Sequence, residues 1–139
     1  CLSVLFSQFS IAEEKFLSLK KSKVNVRYGP SFDSKIKYIY KKINLPIKQI
    51  DKKENFRRIV DLKNNSGWIH VSQVKKSNSI IILEDKILYK KPSNFSKPIA
   101  KLEKGRLLVL KKCENIWCNV KTDDYSGWVK TENIWGSIK

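Results

Sequence analysis

Apolar residues recur along this chain in short alternating runs, and no stretch carries them at helical spacing. Lys23-Val24-Asn25-Val26-Arg27-Tyr28 alternates polar and apolar side chains, the period of a half-buried strand, and Gly29-Pro30 then breaks it. Runs rich in Ile, Val and aromatic residues follow at 37–42, 45–50, 57–62 and 67–71. Asn64-Asn65-Ser66-Gly67 supplies a tight turn before the last of them. The second half repeats the rhythm at 86–89, 99–102, 106–110, 117–121 and 127–130. Five short strands closing on themselves within about 60 residues describe a small β-barrel, because closure removes most exposed strand edges. The predicted fold class is therefore all-β, with two consecutive small barrels.

The duplication is visible in the residues themselves. Glu54-Asn55 precedes Gly67-Trp68 by the same spacing that separates Glu114-Asn115 from Gly127-Trp128. Upstream, Pro30-Ser31-x-x-Ser34-Lys35-x-Ile matches Pro92-Ser93-x-x-Ser96-Lys97-x-Ile. The boundaries that follow are 13–79 for the first unit and 80–139 for the second, joined at Lys75-Lys76-Ser77-Asn78-Ser79. Ile80-Ile81-Ile82-Leu83 enters the second unit and is expected to pack between the two barrels. A 60-residue domain buries only about 60% of its unfolded surface and is marginal alone, so each copy is expected to lean on the other.

Residues 1–12 are apolar and uncharged, with Ser10 and Ala12 in a small-x-small arrangement before Glu13-Glu14-Lys15. They read as the remnant of a signal peptide cut after Ala12, which places the mature protein in the periplasm or outside the cell. Twelve residues are too few to span a bilayer, which needs about 20; no transmembrane segment is expected after cleavage. A first strand of the mature fold, or a lipidated Cys1, are the competing readings.

The net charge of +16 adds a field that favours anionic partners. Residues 13–79 hold 17 Lys/Arg against 6 Asp/Glu, and residues 80–139 hold 12 against 7. Lys outnumbers Arg 25 to 4, which AT-rich codons also produce, whereas phosphate recognition favours the planar fork of Arg.

On Val24-Asn25-Val26-Arg27-Tyr28-Gly29-Pro30-Ser31, the hairpin ending Gly67-Trp68-Ile69 and the turn Ser72-Gln73-Val74, the chain resembles tandem bacterial SH3-type domains. It is similar to their exported two-repeat form common in alphaproteobacteria, whose second copy carries a Cys-x4-Cys hairpin and a Trp-Gly tail. Here these are Cys113 to Cys118 and Ile134-Trp135-Gly136. The second copy departs from the pattern: it reads Leu88-Tyr89-Lys90-Lys91-Pro92 where the first has Asn-Val-Arg, and Trp117 where the first has Phe56. The resemblance implies non-catalytic barrels that bind cell-wall peptides, glycans or protein segments.

Cys113 and Cys118 straddle a predicted hairpin turn, and on facing strands in an oxidising compartment they would form a structural disulfide. Free thiols, a redox couple and a metal site are the alternatives; two Cys and the single His70 are few ligands for a metal, and none is expected. No cofactor is expected either. His70 shares a strand face with Trp68 and reads as an exposed surface residue. No nucleophile–base pair or paired carboxylates stand out, so no enzyme activity is expected. Candidate ligand-binding residues are Asn25, Arg27, Tyr28, Pro30, Trp68 and Trp128. Trp68 and Trp128 either plug a barrel or the seam, or offer flat platforms for a sugar or peptide. Asn25 and Arg27 either meet a ligand or bond local backbone and a carboxylate such as Asp61. The expected partner is a cell-wall polymer or an envelope protein or peptide. A basic nucleic-acid-binding barrel and a structural adaptor without small ligand are the alternatives, and the leader argues against nucleic acid.

Overall fold

The computed structural model describes residues 15–138. The residues read as a leader, 1–12, lie outside them. Fourteen strands alternate with turns among the described residues. In the first copy these are β1 (Lys15–Leu19), β2 (Val24–Arg27), β3 (Ile36–Tyr40), β4 (Pro46–Lys53), β5 (Phe56–Val60), β6 (Ser66–His70) and β7 (Val74–Lys76). In the second they are β8 (Ser79–Ile82), β9 (Lys86–Tyr89), β10 (Pro98–Leu102), β11 (Leu107–Glu114), β12 (Trp117–Thr122), β13 (Tyr125–Lys130) and β14 (Ile134–Gly136). A 3-10 turn, Val71–Gln73, links β6 to β7.

The two sheets are separate and have the same order, β3-β2-β6-β5-β4-β1-β7 and β10-β9-β13-β12-β11-β8-β14, with every pairing antiparallel. Seven strands laid flat would spread over roughly 29 Å at the usual ~4.8 Å spacing. Yet residues from all seven strands of the first sheet, from Leu19, Val24 and Val26 to Ile69 and Val74, meet in one cluster. Each sheet must therefore coil upon itself, and the second does so around Ile80, Ile82, Leu88, Leu108, Val120 and Val129. The alternation read in the sequence carries this: Val24 and Val26 point inward with no exposure while Asn25 and Arg27 are half-buried on the outer face.

The repeat extends to its irregularities. The register of β4 against β5 shifts between Gln49 and Asp51, and that of β11 against β12 between Leu110 and Lys112. Positive φ angles recur at Asn44 and Gly105 and at Glu54 and Asn115, where tight turns demand the left-handed region.

Four strands were not foreseen. β1 and β7 close the first sheet, and β8 and β14 close the second. Within the run 80–83, expected to pack between the barrels, Ile80–Ile82 form a strand of the second sheet between β11 and β14, and that strand also lies against β4 of the first barrel. Ile80 and Ile82 face its core, which leaves Ile81 on the opposite side of that strand. A continuous apolar run of this kind marks a strand buried on both faces.

The seam between the copies is held by the segment that leaves the second barrel. Trp135 on β14 donates its indole N–H to the Pro46 carbonyl of β4 at 2.9 Å and stands edge-on to Phe16 of β1, with centroids 5.1 Å apart. Beside it the buried hydroxyls of Ser18 and Ser79 are 2.7 Å apart, and Ser79 also donates to the Asn44 carbonyl. Each copy thus covers surface that the other could not bury alone.

Candidate functional site

β2 and β6 lie side by side, with Arg27 opposite Trp68. They can approach closely because Gly67 has no side chain: a Cβ there would strike Val26 and come within 3.1 Å of the Arg27 carbonyl. Inward positions on β6 are Gly67 and Ile69, so Trp68 and His70 fall on the outer face. Neither Trp68 nor Trp128 plugs a barrel. Both are half-buried outside it, Trp68 opposite Arg27 and Arg58, Trp128 opposite Tyr89 and Asn119. The tryptophan of the seam is Trp135.

On this outer face a cavity of about 340 Å³ is lined by Lys23, Asn25, Arg27, Phe32, His70 and Gln73. Its wall is aromatic. Phe32, from the loop after Pro30-Ser31, lies 5.1 Å from Phe56 and 4.9 Å from His70, and Phe56 and His70 are 5.1 Å apart, all between ring centroids. The Arg27 guanidinium sits 5.5 Å from the Phe32 centroid. It donates to the carbonyls of Phe32 (3.1 Å) and Ser34 (2.9 Å), which fixes the loop and the cation together. His70 Nδ1 accepts the Ser72 N–H at 3.2 Å and lies 2.8 Å from the Ser72 hydroxyl, so a neutral ring carries its proton on Nε2. Lys23 and Asn25 line the same cavity, and no carboxylate does among the described residues.

Of the six residues read as ligand-binding, the structure brings Asn25 and Arg27 into this groove. Tyr28 turns away, 65% exposed, with Lys37 Nζ 5.6 Å from its ring centroid. Pro30 shapes the loop without lining the cavity, and Trp128 belongs to the other barrel. Arg27 bonds local backbone as one reading had it, but Asp61 is not its partner: that carboxylate accepts the Tyr40 hydroxyl at 2.8 Å and caps the turn at Lys63 and Asn65. His70, read as an exposed surface residue, is half-buried in the aromatic wall. Lys23, Phe32, Phe56 and Gln73 were missed. The spacing Trp68-x-His70 was the one available signal, since it puts both side chains on the groove's face.

In the second barrel the corresponding cavity, about 170 Å³, is lined by Glu84, Asp85, Lys86, Ile87, Tyr89, Asn94, Lys130 and Glu132. Ile87 stands where the first barrel has Asn25, Tyr89 where it has Arg27, and Lys130 where it has His70. Lys86 is buried and spends its ammonium on Glu84 (3.3 Å) and the Glu132 carbonyl (2.6 Å). Lys130 Nζ lies 5.8 Å from the Trp117 centroid and Tyr89 packs edge-on to the same ring. Cys113 and Cys118, directly opposite on β11 and β12, form a disulfide. No group of three or more potential metal ligands occurs among the described residues, and no helix there is long and apolar enough to cross a membrane.

Two small antiparallel sheets, each coiled round its own core and repeated in order and register, make this a tandem of SH3-like β domains. The chain belongs to the bacterial SH3 domain family, whose model matches residues 20–76 and again 85–136. That family is one of binding domains. Among curated proteins none matches this sequence. Two solved structures from Trichomonas vaginalis are similar over most of this chain. NlpC2 is 10% identical with a TM-score of 0.41, covering 89% of this chain and 48% of its own. NlpC1 is 12% identical with a TM-score of 0.39, covering 96% and 50%. The chain therefore spans about half the length of either.

Proposed function

We propose that the protein is a non-catalytic module of the bacterial cell envelope, and that the groove of the first barrel holds a carboxylate-bearing wall peptide. The observation that carries this is the composition of that groove: two cations, two amides and an aromatic wall, with no carboxylate among the described residues that line it. A cation already immobilised by backbone carbonyls and an aromatic ring binds an anion without the entropic cost of ordering a free side chain. Lys23 and Asn25 have no side-chain partner among the described residues, so their donors face the groove uncommitted, and the phenyl ring of Phe32 supplies apolar contact for the peptide's aliphatic part. The family and the leader-like residues 1–12 support an envelope location, and the disulfide is compatible with an oxidising one. An open groove counts against a purely structural adaptor.

Sedimentation with purified sacculi at physiological salt tests the reading. The protein starting at Glu13 is expected to be retained, and Lys23→Glu combined with Phe32→Ala is expected to cut retention about tenfold, equivalent to about 1.4 kcal/mol. Failure of the unsubstituted protein to co-sediment would remove the wall as its ligand.

A further inference from the structure

A cleft of about 700 Å³, larger than either groove, lies where the barrels meet. We infer that this cleft is a second binding site, and that it takes an acidic peptide segment with alternating apolar residues.

Its floor is apolar. Leu107 and Val109 are outward-facing on β11, and Ile43, 49% exposed, faces them from the loop of the first barrel before β4. The counterparts of Leu107 and Val109 in the first barrel are Pro46 and Lys48, as the pairings of Leu17 with Ile47 and of Ile80 with Leu108 align the strands. There the outer face is closed: Trp135 reaches the Pro46 carbonyl. In the second barrel the same face carries two aliphatic side chains and opens into the cleft, and among the described residues no counterpart of Trp135 covers it.

The rim is cationic. Lys42, Lys104 and Lys121 line the cleft, and none of these ammoniums has an ion-pair partner among the described residues. Arg106 is taken up by Asp123 at 3.1 Å and by the Thr122 hydroxyl at 3.3 Å, which leaves Glu103 as the one carboxylate there outside that pair. Charge complementarity asks for an anion, and the floor asks for aliphatic contact between the charges. Among the described residues no aromatic side chain lines the cleft. Stacking platforms for sugar rings or nucleobases are therefore missing, and a peptide of alternating acidic and aliphatic residues fits where a glycan or single strand does not.

The test is a titration of the full chain, labelled with 15N, by acetyl-(Glu-Leu)3-amide at physiological salt. Amide shifts are expected at Ile43, Leu107 and Val109, with acetyl-(Glu-Ser)3-amide at least fivefold weaker. Lys42→Glu with Lys121→Glu is expected to weaken binding tenfold or more, while Lys35→Glu with Lys97→Glu, the same change in charge away from the cleft, stays within twofold. Shift dispersion reports that each variant is folded. No binding, shifts centred on Phe32 and His70, equal affinity for the Glu-Ser peptide, or equal losses in the two variants would each overturn the proposal. Of those outcomes only shifts centred on Phe32 and His70 fall in the wall-binding groove, and they would move the peptide there without counting against wall binding, which sacculus sedimentation tests separately.

Discussion

In the first barrel the strand that floors the groove reads Val24-Asn25-Val26-Arg27; in the second the same strand reads Lys86-Ile87-Leu88-Tyr89. Both present the same inward–outward alternation, and Val26 and Leu88 both sit unexposed in a core. The outward pair differs in chemistry. Asn25 and Arg27 bring an uncommitted amide and a pre-ordered cation, whereas Ile87 and Tyr89 bring an aliphatic and an aromatic surface beside Glu84, Asp85 and Glu132. Duplication kept what a barrel needs and released what a ligand needs. The lesson is that inward positions report the fold and outward ones report the site.

The largest way to break this comparison is to exchange the strand's first inward residue. Val24→Lys places an ammonium where the second barrel buries Lys86, but Ser22 stands in the place of Glu84. An uncompensated buried charge costs about 3–5 kcal/mol, and urea unfolding should register a loss of that size. Next comes the seam. Trp135→Ala removes the ring that packs on Phe16 and the donor to Pro46; a loss of roughly 2–4 kcal/mol is expected, below the full range for a buried Trp because this one is only half-buried. Separate unfolding transitions for the two barrels in that variant would show that the seam makes them one cooperative unit.

The disulfide belongs to the second copy alone. Closing so short a loop contributes roughly 2 kcal/mol by chain entropy, so Cys113→Ser with Cys118→Ser should lose about that much in urea unfolding. A smaller effect is expected in the first copy at Tyr40. Burial raises the pKa of its hydroxyl, and the neighbouring Tyr38 hydroxyl and Asp61 carboxylate raise it further. Because the folded-state value lies above the unfolded one, this contribution is complete below about pH 10 and is lost as pH rises past it. Tyr40→Phe is expected to cost about 1 kcal/mol at pH 7 and to lessen the alkaline loss of stability, compared by denaturant unfolding at pH 7 and 10.5. Smallest is Lys86→Leu, expected to shift stability by no more than about 1 kcal/mol in either direction, since Glu84 is 45% exposed and keeps its hydration while the apolar side chain fills the buried space.

The repeat, the all-β class and the ten inner strands were legible because the period-2 alternation and the Gly-Trp hairpins are local signals. The closing strands β1, β7, β8 and β14 were not. β7 and β14 have three residues each, β8 is apolar on both faces, and β1 lies beside the leader-like run, so only pairing across the sheet decides their state. The site was half legible. Asn25 and Arg27 sit in a recognisable motif, while Phe32 and His70 are far apart in sequence and meet only because β2 runs beside β6. Trp68 and Trp128 left two readings open, a plug or an outward platform, because their size suits a core; the neighbouring glycines occupy the inward positions and leave both on the outer face.

Titrating the 15N-labelled protein with soluble wall fragments released by a muramidase puts the central comparison to the most direct test. Amides of Lys23, Asn25, Phe32 and His70 should shift, and those of Ile87, Tyr89, Asn94 and Lys130 should stay in place. Equal shifts in both sets, or shifts confined to the second, would contradict the assignment of binding to the first barrel.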